Sequence, residues 1–180
     1  IFGDHLFYDG ERRYLDIWDD TVVMIDGATV LRTAHLAYDR DSSLAMYSTW
    51  GRTTSGSRQL FSREGFYNTD EKIVRVYRYV DMVDSGVHIT TDTMLYDVTS
   101  RLAWFHGSTH IYIDSTYIYS ELGCYSADSD YAMSVKATKV HSDRKLLVSD
   151  TVYYWKTVQR AEAYGNVFIS DTVNNLIATG

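Results

Sequence analysis

Apolar and polar residues alternate in short runs along the whole chain, and helical spacing is missing throughout. Between residues 92 and 119, Leu95-Tyr96-Asp97 runs into a turn, and Leu102 and Trp104 then alternate with Ala103 and Phe105. Gly107 interrupts, Ile111 and Ile113 resume, and Asp114-Ser115 stops the run. A period of two is the mark of a half-buried strand. The rest of the chain reads as copies of this unit. An aromatic stands before the first turn of each copy at Tyr8, Tyr38, Tyr67, Tyr96, Tyr125 and Tyr154, in steps of 30, 29, 29, 29 and 29 residues. The next residue is a turn former at Asp9, Asp39, Asn68, Asp97 and Ser126, with Trp155 the exception. A second turn column runs in parallel at Asp26, Gly56, Asp84, Asp114, Asp143 and Asp171. Two columns keeping one period over six copies define a repeat protein.

Turn spacing predicts the architecture. Each copy holds two strands of roughly ten residues that reverse direction at every turn, which is an antiparallel meander. Alternation breaks mid-strand at Gly107, at Gly165 and near Gly51, and glycine inside a strand marks a bend or bulge. Long strands bent alike and stacked make a V-shaped sheet with an apolar inner face. The fold class is therefore all-β, an elongated stack of bent antiparallel strands in about six repeats, roughly 55–60 Å long at the usual strand spacing. The polar stretch 53–57 reads as a loose loop. No linker or composition shift divides residues 1–180, which predicts a single domain. The first residue is Ile1, so the chain is expected to be a trimmed fragment of a longer one.

Composition sharpens this picture. The chain has 16 Tyr and no Pro, as hydrogen-bonded strands with short turns require. A net charge of −7 argues against a nucleic-acid partner. One cysteine, Cys124, leaves no disulfide framework and no Cys-based zinc site. The residues expected to line the V are Leu15, Ile17, Val22, Met24, Leu44, Met46, Leu102, Trp104, Ile111, Ile113, Met133, Val167 and Ile169. They could hold acyl chains, or equally fill a dry core. The methionines favour a variable apolar ligand. Trp104 is placed inside by its phase with Leu102.

Catalytic chemistry is thin. His106 and His110 would share one face of a continuous strand, but Gly107 between them breaks the geometry of a metal pair. The Asp column could be a calcium ladder, and turn formation explains it better. Arg52, Arg58, Arg63, Arg75 and Arg78 could meet phosphates or form a solvated face. No nucleophile triad, phosphate loop or acid–base carboxylate pair stands out, so no enzyme, metal or cofactor is expected. Two other classes stay open: a structural β-repeat scaffold with a filled core, and a polysaccharide-binding protein with outward aromatics.

Glu162-Ala163-Tyr164-Gly165-Asn166-Val167-Phe168-Ile169-Ser170-Asp171, ending in Ala178-Thr179-Gly180, resembles the repeat of OstA-like proteins, the LptA-like family of lipopolysaccharide transport. Asp92-Thr93-Met94-Leu95-Tyr96-Asp97 and His35-Leu36-Ala37-Tyr38-Asp39 are similar to the family's recurring Leu-x-Tyr-Asp element. The resemblance implies a β-taco, or β-jellyroll, in the periplasm. It implies a non-enzymatic protein that passes lipopolysaccharide along an apolar groove toward the outer membrane. It also implies partners among other OstA-like domains, joined end to end. The apolar run 1–8 and the uncharged run 174–180 fit head-to-tail self-association of that kind. The third and fifth copies depart from the element, with Glu64-Gly65-Phe66-Tyr67 and Glu121-Leu122-Gly123-Cys124-Tyr125.

Overall fold

Two kinds of turn alternate along the chain and set its architecture. In the first, a strand ends on a residue whose side-chain oxygen accepts from backbone N–H groups two and three residues on. Asp9 does so from Glu11 and Arg12, Asn68 from Asp70 and Glu71, and Asp97 from Thr99 and Ser100. These longer loops close on a left-handed residue, Arg13, Ser43, Lys72 or Arg101. The second kind is a two-residue hairpin with positive φ at Gly27, Gly56, Ser85 and Gly86, Asp114 or Asp143. Its twist matches that of the strands it joins.

The computed structural model describes residues 1–126, 128–129 and 131–180, and the described residues contain no helix. The strands are β1 (His5–Asp9), β2 (Tyr14–Asp26), β3 (Thr29–Asp39), β4 (Leu44–Tyr47), β5 (Gly51–Ser55), β6 (Arg58–Ser62), β7 (Glu64–Asn68) and β8 (Ile73–Asp84). They continue as β9 (Val87–Asp97), β10 (Leu102–Ile113), β11 (Thr116–Ser126), β12 (Tyr131–Ser142), β13 (Lys145–Trp155), β14 (Arg160–Tyr164), β15 (Phe168–Asp171) and β16 (Leu176–Thr179). All pair antiparallel in one sheet that follows sequence order. β4 with β5, β6 with β7, and β14 with β15 are the halves of single bent strands, each half pairing the corresponding half of its neighbour. The stretch 53–57, expected to be a loose loop, is instead the end of β5 and its hairpin into β6. Its Ser and Thr residues suit an extended backbone, and its ladder partners are β3 and β6.

The sheet folds along a line through the middle of every long strand. Registers shift there, between Trp18 and Val22, Tyr77 and Val80, His106 and Thr109, and Val135 and Thr138. The chain turns the corner with positive φ at Arg78 and Tyr79, Gly107, Lys136 and Ala137, and Gly165 and Asn166. One arm carries the longer loops at its tips and the other the tight turns.

Both inner faces are built as ladders. In the long-loop arm, one register row runs Tyr38–Ala45–Tyr67–Val74–Tyr96–Ala103–Tyr125–Ala132–Tyr154 across successive strands. Large and small side chains alternate, so each ring occupies space its neighbours leave free. The aromatic column of the sequence is thus the core itself. A parallel row places Tyr47 and Phe105 beside Gly65 and Gly123. A Cβ on Gly65 would stand 2.4 Å from the Tyr47 ring, and one on Gly123 2.1 Å from the Met133 carbonyl oxygen and 2.7 Å from Phe105. The departures in the third and fifth copies are therefore compensated by rings on the adjoining strands. In the tight-turn arm, Met24, Leu31, Leu60, Met82, Ile89, Ile111, Ile118 and Val140 form an apolar row, broken by Thr53 between Leu31 and Leu60.

A buried hydroxyl column lies along the fold line. Thr33, Ser62, Thr91, Ser120 and Ser149 recur at steps of 29, and all are buried. Ser62, Ser120 and Ser149 each donate to the carbonyl two residues on, and Ser120 also reaches the Val135 carbonyl at 3.0 Å. These bonds satisfy backbone groups released where the ladder breaks.

Candidate functional site: the mouth of the V

The mouth between the arms is laced by polar bridges over the N-terminal part of the sheet. Asp26, at the tip of β2, accepts from Tyr67 and from the Lys72 ammonium (2.6 Å) on the opposite arm. Burial would raise its pKa, but the bonds from Lys72 and Tyr67 outweigh that and hold the carboxyl below its usual range. Burial, then the Asp26 carboxylate, pushes the Tyr67 hydroxyl up.

A second bridge follows. Asp84 is fully buried and accepts from Arg58 Nε at 3.0 Å and Nη2 at 2.7 Å, and from Ser57 at 2.8 Å. Arg58, itself buried, donates to the Tyr96 hydroxyl across the mouth, and its guanidinium lies 4.3 Å over the Tyr96 ring. Arg101 reaches Asp84 from the opposite loop at 3.7 Å. Here too burial is the largest influence on the carboxyl and acts upward, but Arg58 and Ser57 prevail and its pKa is lowered. Further on, Lys156 donates to the Ser85 carbonyl at 3.0 Å.

Beyond these bridges the arms part. Val140, Leu147, Val167 and Ile169 face Tyr154, Ala161 and Ala163 across a cleft of about 550 Å³. Asp114, Ser115, Thr116, Ser142, Asp143 and Lys145 form its tight-turn lip. The walls are aliphatic and the rim polar, with Lys145 set between two carboxylates, Asp114 and Asp143, at the entrance. Such a site suits an amphiphile with apolar chains and a polar head.

The expected lining residues separate into three groups. Val167 and Ile169 line the cleft. Ile17, Val22, Met24, Ile111 and Ile113 face inward but are packed in the core, and Leu15 shares their face on β2. Trp104, Leu102, Leu44, Met46 and Met133 point outward, against expectation. Ala103 and Phe105 are buried on either side of Trp104, which is 42% exposed, so alternation turns it away from the core. Leu102 shares its face. Leu44 and Met46 alternate with buried Ala45 and Tyr47, and Met133 with buried Ala132 and Ser134. Sequence reasoning followed the larger side chains of β10 and took the wrong phase. The Tyr column, in register with Ala103, carries the right one.

The remaining candidates also find places. His106 and His110 both face outward but lie on different arms, with Gly107 at φ 94° between them. The second-column aspartates do not form one ladder: Asp26 and Asp84 bridge the mouth, Asp114 and Asp143 stand in turns on the cleft lip, and Asp171 caps its own loop through Val173 and Asn174. Arg58 leaves the solvated basic group for the buried bridge. The Cys124 thiol is buried, which raises its pKa despite a bond with the Met133 backbone.

No curated protein matches the sequence. The crystal structure of LptH from Pseudomonas aeruginosa, described as the LptA-homologous periplasmic component of the conserved lipopolysaccharide transport device, has the same fold. The match has a TM-score of 0.56 and covers 68% of this chain and 93% of that one, at 10% identity. The model of the OstA-like protein family matches residues 1–80 and again 66–150, which together take in five of the six residues of the aromatic column. With the bent sheet, the repeat and the family match in agreement, the chain belongs to the OstA-like family.

Proposed function

We propose that the protein carries lipopolysaccharide in the periplasm, holding its acyl chains in the cleft between the arms and passing it toward the outer membrane without chemical change. The carrying observation is the aliphatic cleft with a polar rim. Each methylene withdrawn from water there contributes about 0.8 kcal/mol. The family supports a role in transport, and the bridged mouth directs entry to the cleft end. Other OstA-like domains, joined head to tail, are the partners in this reading. A polysaccharide reading has its own observation, taken up below.

Fluorescent lipid A binding tests the proposal. Wild-type protein should bind saturably, and Ile169→Glu should weaken binding about tenfold or more by placing a carboxylate in the apolar wall. Melting curves establish that the variant is folded. Absence of saturable binding by wild type, or unchanged affinity in folded Ile169→Glu, would remove the cleft from the function.

A further inference from the structure

The outer face of the tight-turn arm carries a row of rings just below its lip. His88, Tyr112, Tyr117 and His141 sit side by side on β9, β10, β11 and β12, one position in from the tips. Each alternates with buried neighbours such as Val87, Ile111, Ile118 and Val140, so all four point away from the core. Ring centroids follow at 5.8, 5.1 and 5.9 Å, with planes inclined by 28°, 38° and 35°. Rings in full face contact lie about 3.5–4 Å apart. The longer separations mean that neighbours are offset; Tyr117 is packed among Tyr112, His141 and His110, and the open ring surface is that of Tyr112 and His141. Tyr112 is 45% exposed and His141 is exposed. Behind the row, His110 Nδ1 bonds the Tyr117 hydroxyl at 2.8 Å and fixes that ring.

We propose that this row is a saccharide-binding subsite that stacks the pyranose rings of a glycan. A pyranose presents a face of C–H groups bearing slight positive charge and a rim of hydroxyls. Aromatic faces are electron-rich and complement the first. Phenol hydroxyls and imidazole nitrogens at the ring edges complement the second. The Tyr117 hydroxyl bonds His110, and His88 Nε2 is buried 3.3 Å from Asp81, so the Tyr112 hydroxyl and the His141 imidazole are the groups that would meet a polyol. Strand spacing sets the rings at a regular interval, as a repeating polymer requires. Position adds a further argument. Thr116 and Ser142, next to Tyr117 and His141 in their strands, belong to the rim of the open cleft. Sugars attached to acyl chains in that cleft would emerge at this lip and drape over it onto the rings. That last step rests on the proposed lipid function, whereas the stacking row does not.

The experiment uses two probes on the intact chain. One is lipid-free core oligosaccharide released from lipopolysaccharide by mild acid, measured by calorimetry beside cellohexaose as a free-glycan reference. The other is a fluorescent fatty acid, which reads the cleft alone. Wild type should bind oligosaccharide saturably. The double substitution Tyr112→Ala and Tyr117→Ala should weaken it by about tenfold or more, since a ring contact contributes of the order of one factor of ten. The matching Tyr→Phe pair, which keeps both rings, should stay within about threefold. Fatty-acid affinity should be the same in all of them. Should the double alanine variant fold poorly, His141→Ala at an exposed ring gives the same reading with a smaller loss. Preference for core oligosaccharide assigns the subsite to the glycolipid head, and preference for cellohexaose to a free polysaccharide. No saturable sugar binding by wild type, or wild-type affinity in the folded alanine variants, overturns the proposal. Sugar binding without fatty-acid binding retains the subsite and refutes the cleft instead.

Discussion

Replacing Arg58 by Met tests whether the mouth is held by its central bridge. Arg58 supplies two charge-assisted bonds to Asp84, at 3.0 and 2.7 Å, and one to Tyr96 across the mouth. Asp84 is inaccessible to solvent, so the substitution strands a buried carboxylate. Breaking such a pair costs about 3–5 kcal/mol. Ser57, at 2.8 Å, and Arg101, at 3.7 Å, remain to solvate Asp84, which puts the expected loss near the lower end, about 3 kcal/mol. Urea denaturation with a constant slope measures it, and the melting temperature should fall by roughly 6–12 °C. Adding Asp84→Leu should restore most of the loss, because replacing both charges by apolar groups is often neutral. The pH dependence provides an independent check. The folded pKa of Asp84 lies below its unfolded value, so the bridge stabilises fully above about pH 4 and is lost as pH falls through the folded value. The deficit of Arg58→Met should accordingly be largest near neutrality and shrink in acid. A loss below about 1 kcal/mol, or a double variant as unstable as the sum of the two singles, would refute the reasoning.

Three further outcomes follow from other parts of the sheet. Gly123→Ala should fail to fold or lose at least about 3 kcal/mol, because the new Cβ meets a backbone carbonyl at 2.1 Å. Gly27→Ala has open space but φ 58° and should lose only about 1 kcal/mol, so equal stability of the two variants in urea would count against the ladder. Ser120→Ala should cost about 1–2 kcal/mol by orphaning carbonyls at the fold line, and Ser120→Thr, which retains the hydroxyl found at Thr33 and Thr91, should recover it in the same titration. Trp104→Glu, on the outer face, should change stability by less than about 1 kcal/mol and leave lipid A binding intact; a large loss of binding in a folded protein would return Trp104 to the groove.

The turn chemistry was legible in the sequence because turns are local. Asp9, Asn68 and Asp97 announce their loops by side-chain oxygens that reach only two or three residues. Register and face were harder, since they depend on what lies across the ladder. Tyr96 served as a turn marker, yet its place in the core is visible only beside Val74 and Ala103 on the adjoining strands. Gly65 and Gly123 depart from the repeat along the chain, and only the adjoining strands supply Tyr47 and Phe105 to fill their space. The hydroxyl column was available at its step of 29, but Thr and Ser are common in strands and nothing local distinguishes a buried one. The bridge at Asp84 joins Arg58 to Tyr96 across a gap in sequence that no motif spans. The cleft was expected along the whole V, whereas packing fills most of it and leaves Val167 and Ile169 at the open part.

The pairing of each bulky ring with a glycine on the next strand bears on how such a protein can grow or shrink. Tyr47 and Phe105 are 58 residues apart, as are Gly65 and Gly123, so this packing motif recurs every second copy rather than every copy. Excising residues 44–101 would seat Phe105 in the place of Tyr47 beside Leu36, with its own glycine still to follow. Excising 73–101 alone would instead press Phe105 against Gly65, where Tyr47 already leans. Duplications and deletions in the gene should therefore survive in blocks of four strands, about 19 Å of reach at a time, and be purged when they change the span by two.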